Sequence, residues 1–552
     1  MKTLQASVAL LLALLLPLAL LAPGSSEQSP QQASDPELPR VCVDSTSAPS
    51  NGRTIAVAPG GDFQAALKAA QPGDAITLEA GARFTGNFTL PNKSGTGWIT
   101  IRTAAPDSRL PAPGTRITPA YASVLPKLVS PNSRPVITAA PGAHHYRFIG
   151  VEFTVGTEVT INYHLILLGN RPTSAEDVPH DLIFDRVYIH GNPRVNLRRG
   201  IGLNSARTAI IDSYITDAHE VGADSQAILG WDGPGPFKIV NNYLEGAGEN
   251  LMFGGADPSI RDLVPSDIEI RRNHFFKPLT WRIGDPSYAG TPWTVKNLLE
   301  LKNARRVLID GNLFEGNWRH EQGGTAIVFT VRNQDGTAPW STVEDVTFSN
   351  NIVRHTGSAV GMHGWDDLYP SQLTRRILIR NNLFDDVSGG RWGGSGRLFG
   401  ANKGIEDLVI DHNTGFQDGA ILRVEGGCRP DGGEPCHTRF VFRNNLALHN
   451  EHGIHGAGTA PGHQTLAAYF PGALVERNVM VGNSHPLQYP PYNFSPSSLD
   501  SVGFLNLAGR DYRLARSSPY KHAATDGRDI GVDFEALSTV LARPDGKKRR
   551  RR

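Results

Sequence analysis

The chain has 552 residues and a near-even charge balance, with 54 Lys and Arg against 53 Asp and Glu. That balance excludes a general nucleic-acid binder, which needs an excess of cations against phosphate; length alone forces no split, because large β architectures run long as single units. The 59 Gly and 39 Pro suit many turns and few long helices.

The chain opens on "MKTLQASVALLLALLLPLALLAPGSS", one early cation, an apolar run from about Val8 to Ala22 and then small and polar residues. This is the pattern of a secretory signal peptide over 1–22, short for a membrane span and interrupted by Pro17, with an uncleaved anchor as the alternative. The expected location is extracellular or periplasmic, with no membrane span after signal cleavage. Residues 23–53 are rich in Ser, Pro and Gln and read as a flexible polar linker. Order is expected from Thr54, where "DFQAALKAAQPGDAITLEAG" reads as a short amphipathic helix, a Pro-Gly-Asp turn and a strand. Residues 54–105 would then form an N-terminal cap and the first strands, the helix plugging an otherwise open end.

From Phe148 one theme recurs: a hydrophobic residue, a variable one, two Asn, Asp, Arg or Gly residues, a variable one and another hydrophobic. It occurs as "FIGVEF", "FDRVYI", "IIDSYI", "IVNNYL", "IRRNHF", "IDGNLF", "FSNNIV", "IRNNLF", "IDHNTG", "FRNNLA" and "VERNVM". The copies begin at Phe148, Phe184, Ile210, Ile239, Ile270, Ile309, Phe348, Ile379, Ile410, Phe442 and Val475, 26 to 39 residues apart. Such a period marks a repeat architecture. A short, β-rich, turn-flanked unit without paired helices makes each copy one turn of a parallel β-helix, with inward residues buried against the turns above and below. Asparagine suits the corners, where it tolerates unusual backbone angles and bonds to the next turn. Asn241, Asn350, Asn381 and Asn444 are therefore expected at equivalent corners.

At this point the sequence resembles the secreted right-handed parallel β-helix proteins of the pectate-lyase-like superfold, over roughly residues 54 to 535. The resemblance rests on the Asn-Asn corners, on the "FQAALKAAQPGDAITL" opening and on the "SSPYKHAATDGRDIGVD" exit. It implies an all-β, single-stranded right-handed parallel β-helix with a short N-terminal capping helix. It also implies an acidic polysaccharide as substrate or ligand, because members mostly cleave such polymers by β-elimination or hydrolysis while others only bind them. No catalytic signature of a particular family carries over residue by residue, and the pectate lyase calcium constellation is not recognisable. A fold alone does not settle catalysis.

The candidate site comes from stacking "LLELKN" (298–303), "VFTVRN" (328–333) and "VGMHGW" (360–365). Alternation sends Leu299 and Leu301 to one face and Glu300 and Lys302 to the other, so Lys302, Arg332 and His363 are expected in one outward column. A lyase that eliminates across a uronate needs the carboxylate neutralised and a base for the acidified proton; Lys302, Arg332 and His363 are the catalytic candidates. Glu300, Asn333, Trp318, Trp365 and Arg319 are the substrate-binding candidates, and Asp335, Asp366 and Asp367 are candidate calcium ligands, although no cofactor is required by the reading. Two readings stand beside a lyase: a non-catalytic carbohydrate-binding or cell-surface module, and a glycoside hydrolase using paired carboxylates. Outward charges that only pair across strands would favour the former.

Export and the Gly/Pro-rich loop "GGCRPDGGEPCHT" predict a Cys428–Cys436 disulfide, leaving Cys42 over. Residues 536–552 form a C-terminal segment ending in "KKRRRR", read either as a solvated end or as an anchor to an anionic surface. A monomer is the expected state.

Overall fold

The computed structural model describes residues 33–46, 50–427 and 435–542; the signal-like segment, Cys428 and the basic tail lie outside them. Almost every strand belongs to one of three parallel sheets, of 14, 13 and 12 strands (sheets 1, 2 and 3). One turn illustrates all of them: Ala206–Ile211 in sheet 1, a two-residue corner, Tyr214–Ala218 in sheet 2, a loop, and Gln226–Gly230 in sheet 3. The molecule is a right-handed parallel β-helix.

The first residues of the eleven sequence repeats form one unbroken column of in-register partners in sheet 1, from Phe148 to Val475. All eleven are buried, and like stacks on like, as in the Phe148 and Phe184 rings 5.2 Å apart. The column continues upstream through Ile101, Ile76 and Ile55. These three turns carry no Asn-Asn corner, which is why the repeat is not visible there in the sequence.

At the corner the two consecutive polar residues divide the work. Asn241, Asn350, Asn381 and Asn444 all sit there with φ between 54° and 58°, the left-handed conformation that Asn adopts more readily than most residues. The residue after the corner position is buried and builds a ladder, Asn242, Asn273, Asn312, Asn351, Asn382, Asn413, Asn445 and Asn478, which ends on the half-buried loop residue Asn493. In each rung the Oδ1 of one Asn accepts both the backbone and the side-chain N–H of the Asn one turn earlier, as Asn351 does for Asn312 at 2.9 and 2.9 Å. Each Nδ2 also donates to a carbonyl of the preceding turn, such as Asn351 to Ile309 at 3.0 Å. Buried amides are thereby fully satisfied along the corner. In "IDGNLF" the corner position is Gly311, because a Cβ there would lie 2.5 Å from Val540 of the C-terminal helix.

The N-terminal helix spans Phe63–Ala69, capped by Asp62, which accepts from the Ala65 amide. Phe63 and Leu67 enter the main core, and Phe63 packs edge-on against Phe88. At the other end the chain turns back along the sheet 1–sheet 2 corner. The Thr525 and Asp533 amides donate to the side chains of corner residues Asn444 and Asn381 (2.8 and 2.6 Å), and helix Phe534–Ala542 follows, with Leu537 buried.

Residues 33–46, expected as part of a flexible linker, lie extended along the outer face of sheet 1. The amides of Ser34, Glu37 and Arg40 donate to Asp407, Asp345 and Asp267 at 2.9, 3.0 and 2.9 Å. The match is geometric. Three residues of a proline-rich extended chain advance about 9 Å, and two turns of the β-helix advance roughly 9.6 Å. The turn after each of these carries an arginine, Arg306, Arg376 and Arg439, which closes onto Asp267, Asp345 and Asp407. Val43 then inserts among Ile183, Ala209, Ile211 and Val240.

Candidate functional site

The candidate residues gather on the outer face of sheet 3 and its two rims. Strand Asn297–Leu301 is buried throughout. Leu298 and Leu299 both face the core, so strict alternation breaks and Asn297 and Glu300 both project outward, joined by Asn297 Nδ2 donating to Glu300 Oε2 at 3.2 Å. Lys302 follows the strand with its Nζ 3.8 Å from Glu300 Oε1.

The register differs from the sequence expectation by two residues. Leu301 pairs with Phe329, and Thr330, not Arg332, pairs with His363. Arg332 lies beyond the end of strand Thr325–Thr330, on the rim where the chain passes to sheet 1. There its Nη1 donates to Asp366 at 2.7 Å and Asp367 at 2.8 Å. The register is set by the core residues, Leu299 on Ile327 and Leu301 on Phe329. His363 is held below the ordinary imidazole range, first by burial, with Arg332 and Lys403 adding to the effect against the opposing pull of Asp367 and Asp366. It is therefore neutral at pH 7.

The structure does not bring Asp335, Asp366 and Asp367 together as ligands. Asp366 is 1% exposed, and its oxygens accept from Arg332, from the Asn333 amide at 2.8 Å and from the Leu368 amide at 3.0 Å. Asp335 instead accepts from the Asp257 amide at 3.4 Å. Two substrate-binding candidates are likewise structural. Asn333 is fully buried, donating to Pro370 O and accepting from the Ala338 amide, 2.8 Å each. Trp318 is buried in an aromatic cluster with Trp281 and Trp293, where His219 stacks on Trp293 at 3.7 Å. Trp365 is half-buried, its ring under the Lys403 ammonium at 5.2 Å. Arg319 is exposed on the opposite rim, after strand Leu313–Asn317 of sheet 2.

Cys42 is a free thiol and Cys436 is disulfide-bonded; the expected partner, Cys428, lies outside the described residues.

Several groups on this face escaped the sequence reading. Glu249 is fully buried and pairs in register with Asn297. Its Oε2 accepts from Gln226 Nε2 at 2.7 Å, and burial together with the neighbouring Glu300 charge pushes its carboxyl well above the usual range. Below it Lys277 Nζ donates to the carbonyls of Gly246, Ala247 and Gly248, and burial lowers its ammonium. Glu249 Oε1 and Asn297 Oδ1 are buried with no hydrogen-bond partner. Two turns from Glu249 and one from Gln226, Arg199 donates to Gln226 Oε1 at 3.2 Å and lies 5.8 Å from the Trp231 ring centroid. Only the register of the stacked turns gathers these residues, which come from five separate sequence segments. A cavity of about 440 Å³ between Thr414, Leu446, Tyr512 and Ile530 sits elsewhere, beside the returning C-terminal segment.

Among the described residues no helix is long and apolar enough to cross a membrane. No family model and no curated protein matches the chain. Similar solved structures include the PL6 family alginate lyase AlyGC, at 14% identity over 90% of this chain and 60% of that one with a TM-score of 0.48. They also include pectate lyase Pel9A, at 14% identity over 87% of this chain and 96% of that one with a TM-score of 0.34. A third is the catalytic unit of the thermostable GH87 alpha-1,3-glucanase from Streptomyces thermodiastaticus strain HF3-3, at 13% identity over 83% and 72% with a TM-score of 0.43. The chain spans 60% of the length of the alginate lyase AlyGC. The three stacked parallel sheets of the chain itself make it a right-handed parallel β-helix protein, as its sequence resemblance implies.

Proposed function

We propose that the outer face of sheet 3 binds an acidic polysaccharide and cleaves it by β-elimination across a uronate. The observation that carries this reading is His363: a neutral imidazole, in register with Thr330, with Arg332 and Lys403 close enough to act on it, while Lys302, just past the end of strand Asn297–Leu301, lies two turns away on the same face. Elimination needs a neutral base beside cations that offset the uronate carboxylate and so acidify the C5 proton. His363 is assigned as the base, Lys302 as the cation facing the carboxylate, and Arg332, fixed by Asp366 and Asp367, as a second cation at the rim. Trp365 and Arg319, on opposite rims, are assigned to flanking sugars.

The orphaned oxygens of Glu249 and Asn297, beside Glu300, make an all-oxygen donor set that suits a hard cation such as calcium. An ion held there would supply further neutralisation of a carboxylate. Hydrolysis by paired carboxylates has less support, because the one carboxyl on this face held strongly protonated, Glu249, is fully buried.

The test is incubation with alginate, pectate and glycosaminoglycans, with and without a calcium chelator, following the ultraviolet absorbance of unsaturated uronate ends. New absorbance that disappears in His363→Ala and Lys302→Ala supports the reading. Polymer retained without new chain ends would leave a binding module in its place.

A further inference from the structure

Three histidines converge on the outer face of sheet 1, away from the sheet 3 groove. His144 and His180 open adjacent strands and are register partners, with rings stacked in parallel at 4.8 Å. His145 has φ 58°, a left-handed kink that breaks the alternation and turns its ring beside that of His144. Their Nδ1 atoms are 2.7 Å apart. One nitrogen of each of the three rings lies within 4.8 Å of one nitrogen of each of the others.

The position of His145 is informative because the same kink recurs down the sheet. Lower turns fill it with alternating Asp and Arg, namely Asp267, Arg306, Asp345, Arg376, Asp407 and Arg439, each Arg closing on the Asp one turn before. Arg207 closes in the same way on Asp181, at 3.0 and 2.8 Å. In the topmost of these turns an imidazole replaces the next charge, and its neighbours are two more imidazoles. Burial, together with the mutual proximity of the rings and the Arg207 charge, holds His144 and His145 below the ordinary imidazole range despite the opposing pull of Asp181. At neutral pH both are thus uncharged and offer nitrogen lone pairs.

We propose that His144, His145 and His180 form a binding site for a divalent transition-metal ion that clamps two successive turns of the β-helix. Imidazole nitrogen selects ions of the zinc, copper and nickel class over calcium or magnesium. With metal–nitrogen bonds of about 2.0–2.1 Å, tetrahedral donors stand roughly 3.4 Å apart. The present spacings, 2.7 Å for one pair and up to 4.8 Å across the group, bracket that value, and three partly exposed side chains reach it by small rotations. His180 already has an orienting partner, Asp181 Oδ2, 2.6 Å from Nδ1. With the Nδ1 proton donated to that carboxylate, Nε2 is left as the ligand, the arrangement in which an outer carboxylate fixes a metal-bound imidazole. Arg207 Nη2 lies 2.7 Å from the same Nδ1; in this tautomer it bonds Asp181 alone, and the carboxylate offsets its charge. Three protein ligands leave a fourth position for water.

The test is titration of the chelator-stripped full chain with Zn²⁺ by calorimetry, and with Cu²⁺ by electron paramagnetic resonance. The expected result is one equivalent of tight binding, nitrogen hyperfine structure on copper and a rise in Tm with Zn²⁺. His145→Asn keeps a residue suited to the left-handed kink and removes a ligand; it should weaken Zn²⁺ by at least about tenfold without changing the Tm of the stripped protein. Asp181→Asn should weaken Zn²⁺ by roughly tenfold. Absence of a tight equivalent in the parent, or an equivalent that survives unchanged in His145→Asn and in His180→Gln, would overturn the proposal.

Discussion

The backbone amide of Glu37 donates to the carboxylate of Asp345 at 3.0 Å across 308 residues of sequence. With Ser34 on Asp407 and Arg40 on Asp267, it fastens the N-terminal segment to every second turn of sheet 1. Amide hydrogen exchange should therefore show a period of three. Ser34, Glu37 and Arg40 should be protected while Asp35 and Leu38 exchange freely, because protection follows the bonded amides. Asp345→Ala should release Glu37 in particular. Uniformly fast exchange over 33–41 would contradict the docked arrangement.

The division of labour at the corner sets up a contrast between adjacent residues. Asn351→Ala removes an acceptor of two bonds from Asn312 and a donor to Ile309 and Asn382, leaving buried polar groups unpaired at about 1–3 kcal/mol each. A loss of roughly 3–5 kcal/mol is expected. Asn350→Gly meets the φ of 54° without strain and gives up two part-buried bonds, to Asp310 at 2.6 Å and from Asn381 at 2.7 Å, so the cost should be smaller, about 1–2 kcal/mol. Denaturant unfolding of the two variants decides it, and equal losses would mean that the ladder is not what stabilises the corner.

The core column was legible because hydrophobic period and corner chemistry coincide in the same six residues of each repeat. Ile55, Ile76 and Ile101 were hidden since their turns lack that corner. The site was only half legible. Lys302 and Glu300 fall on the outer face as expected, whereas Arg332 lies two residues beyond the position level with Lys302, because register is set by the residues that enter the core, Leu299 on Ile327 and Leu301 on Phe329. The docked N-terminal segment could not be read at all. A Ser/Pro/Gln-rich stretch has no core of its own, and its partners are carboxylates that become a ladder only after the turns are stacked.

Acid should destabilise the fold through His437. This residue is buried, accepts from the Ile405 amide at 3.0 Å, and is pushed down to about 3 by burial. Unfolded, it takes up a proton below about pH 6.5. Its contribution is therefore complete above that pH and is lost as pH falls toward 3, at a slope of roughly 1.4 kcal/mol per pH unit. Unfolding free energies at pH 7 and pH 5 should differ less in His437→Asn, which keeps an acceptor for Ile405, than in the parent. An unchanged difference would show that other groups account for the acid sensitivity.

The assignment of the base yields the sharpest kinetic prediction. Because His363 is held below the usual imidazole range by burial and nearby cations, the basic form predominates at neutral pH. The kcat/KM on a responsive polyuronate should level off by neutral pH and fall on the acid side, since that parameter reports ionisation in the free protein. An amine base would instead give a rate still climbing at alkaline pH. His363→Ala should cost about 10²–10⁴-fold, the usual worth of a positioned general base. Lys302→Ala removes one carboxylate contact, about 1.5–3 kcal/mol, or one to two orders of magnitude in kcat/KM. It should leave Tm unchanged, because its ion pair with Glu300 is long at 3.8 Å. Arg332→Ala should lower both rate and Tm, since Asp366, 1% exposed, loses the guanidinium it faces. If His363→Ala keeps the parent rate and the profile climbs through pH 9, the imidazole is not the base, and Lys302 becomes the group to test in that role.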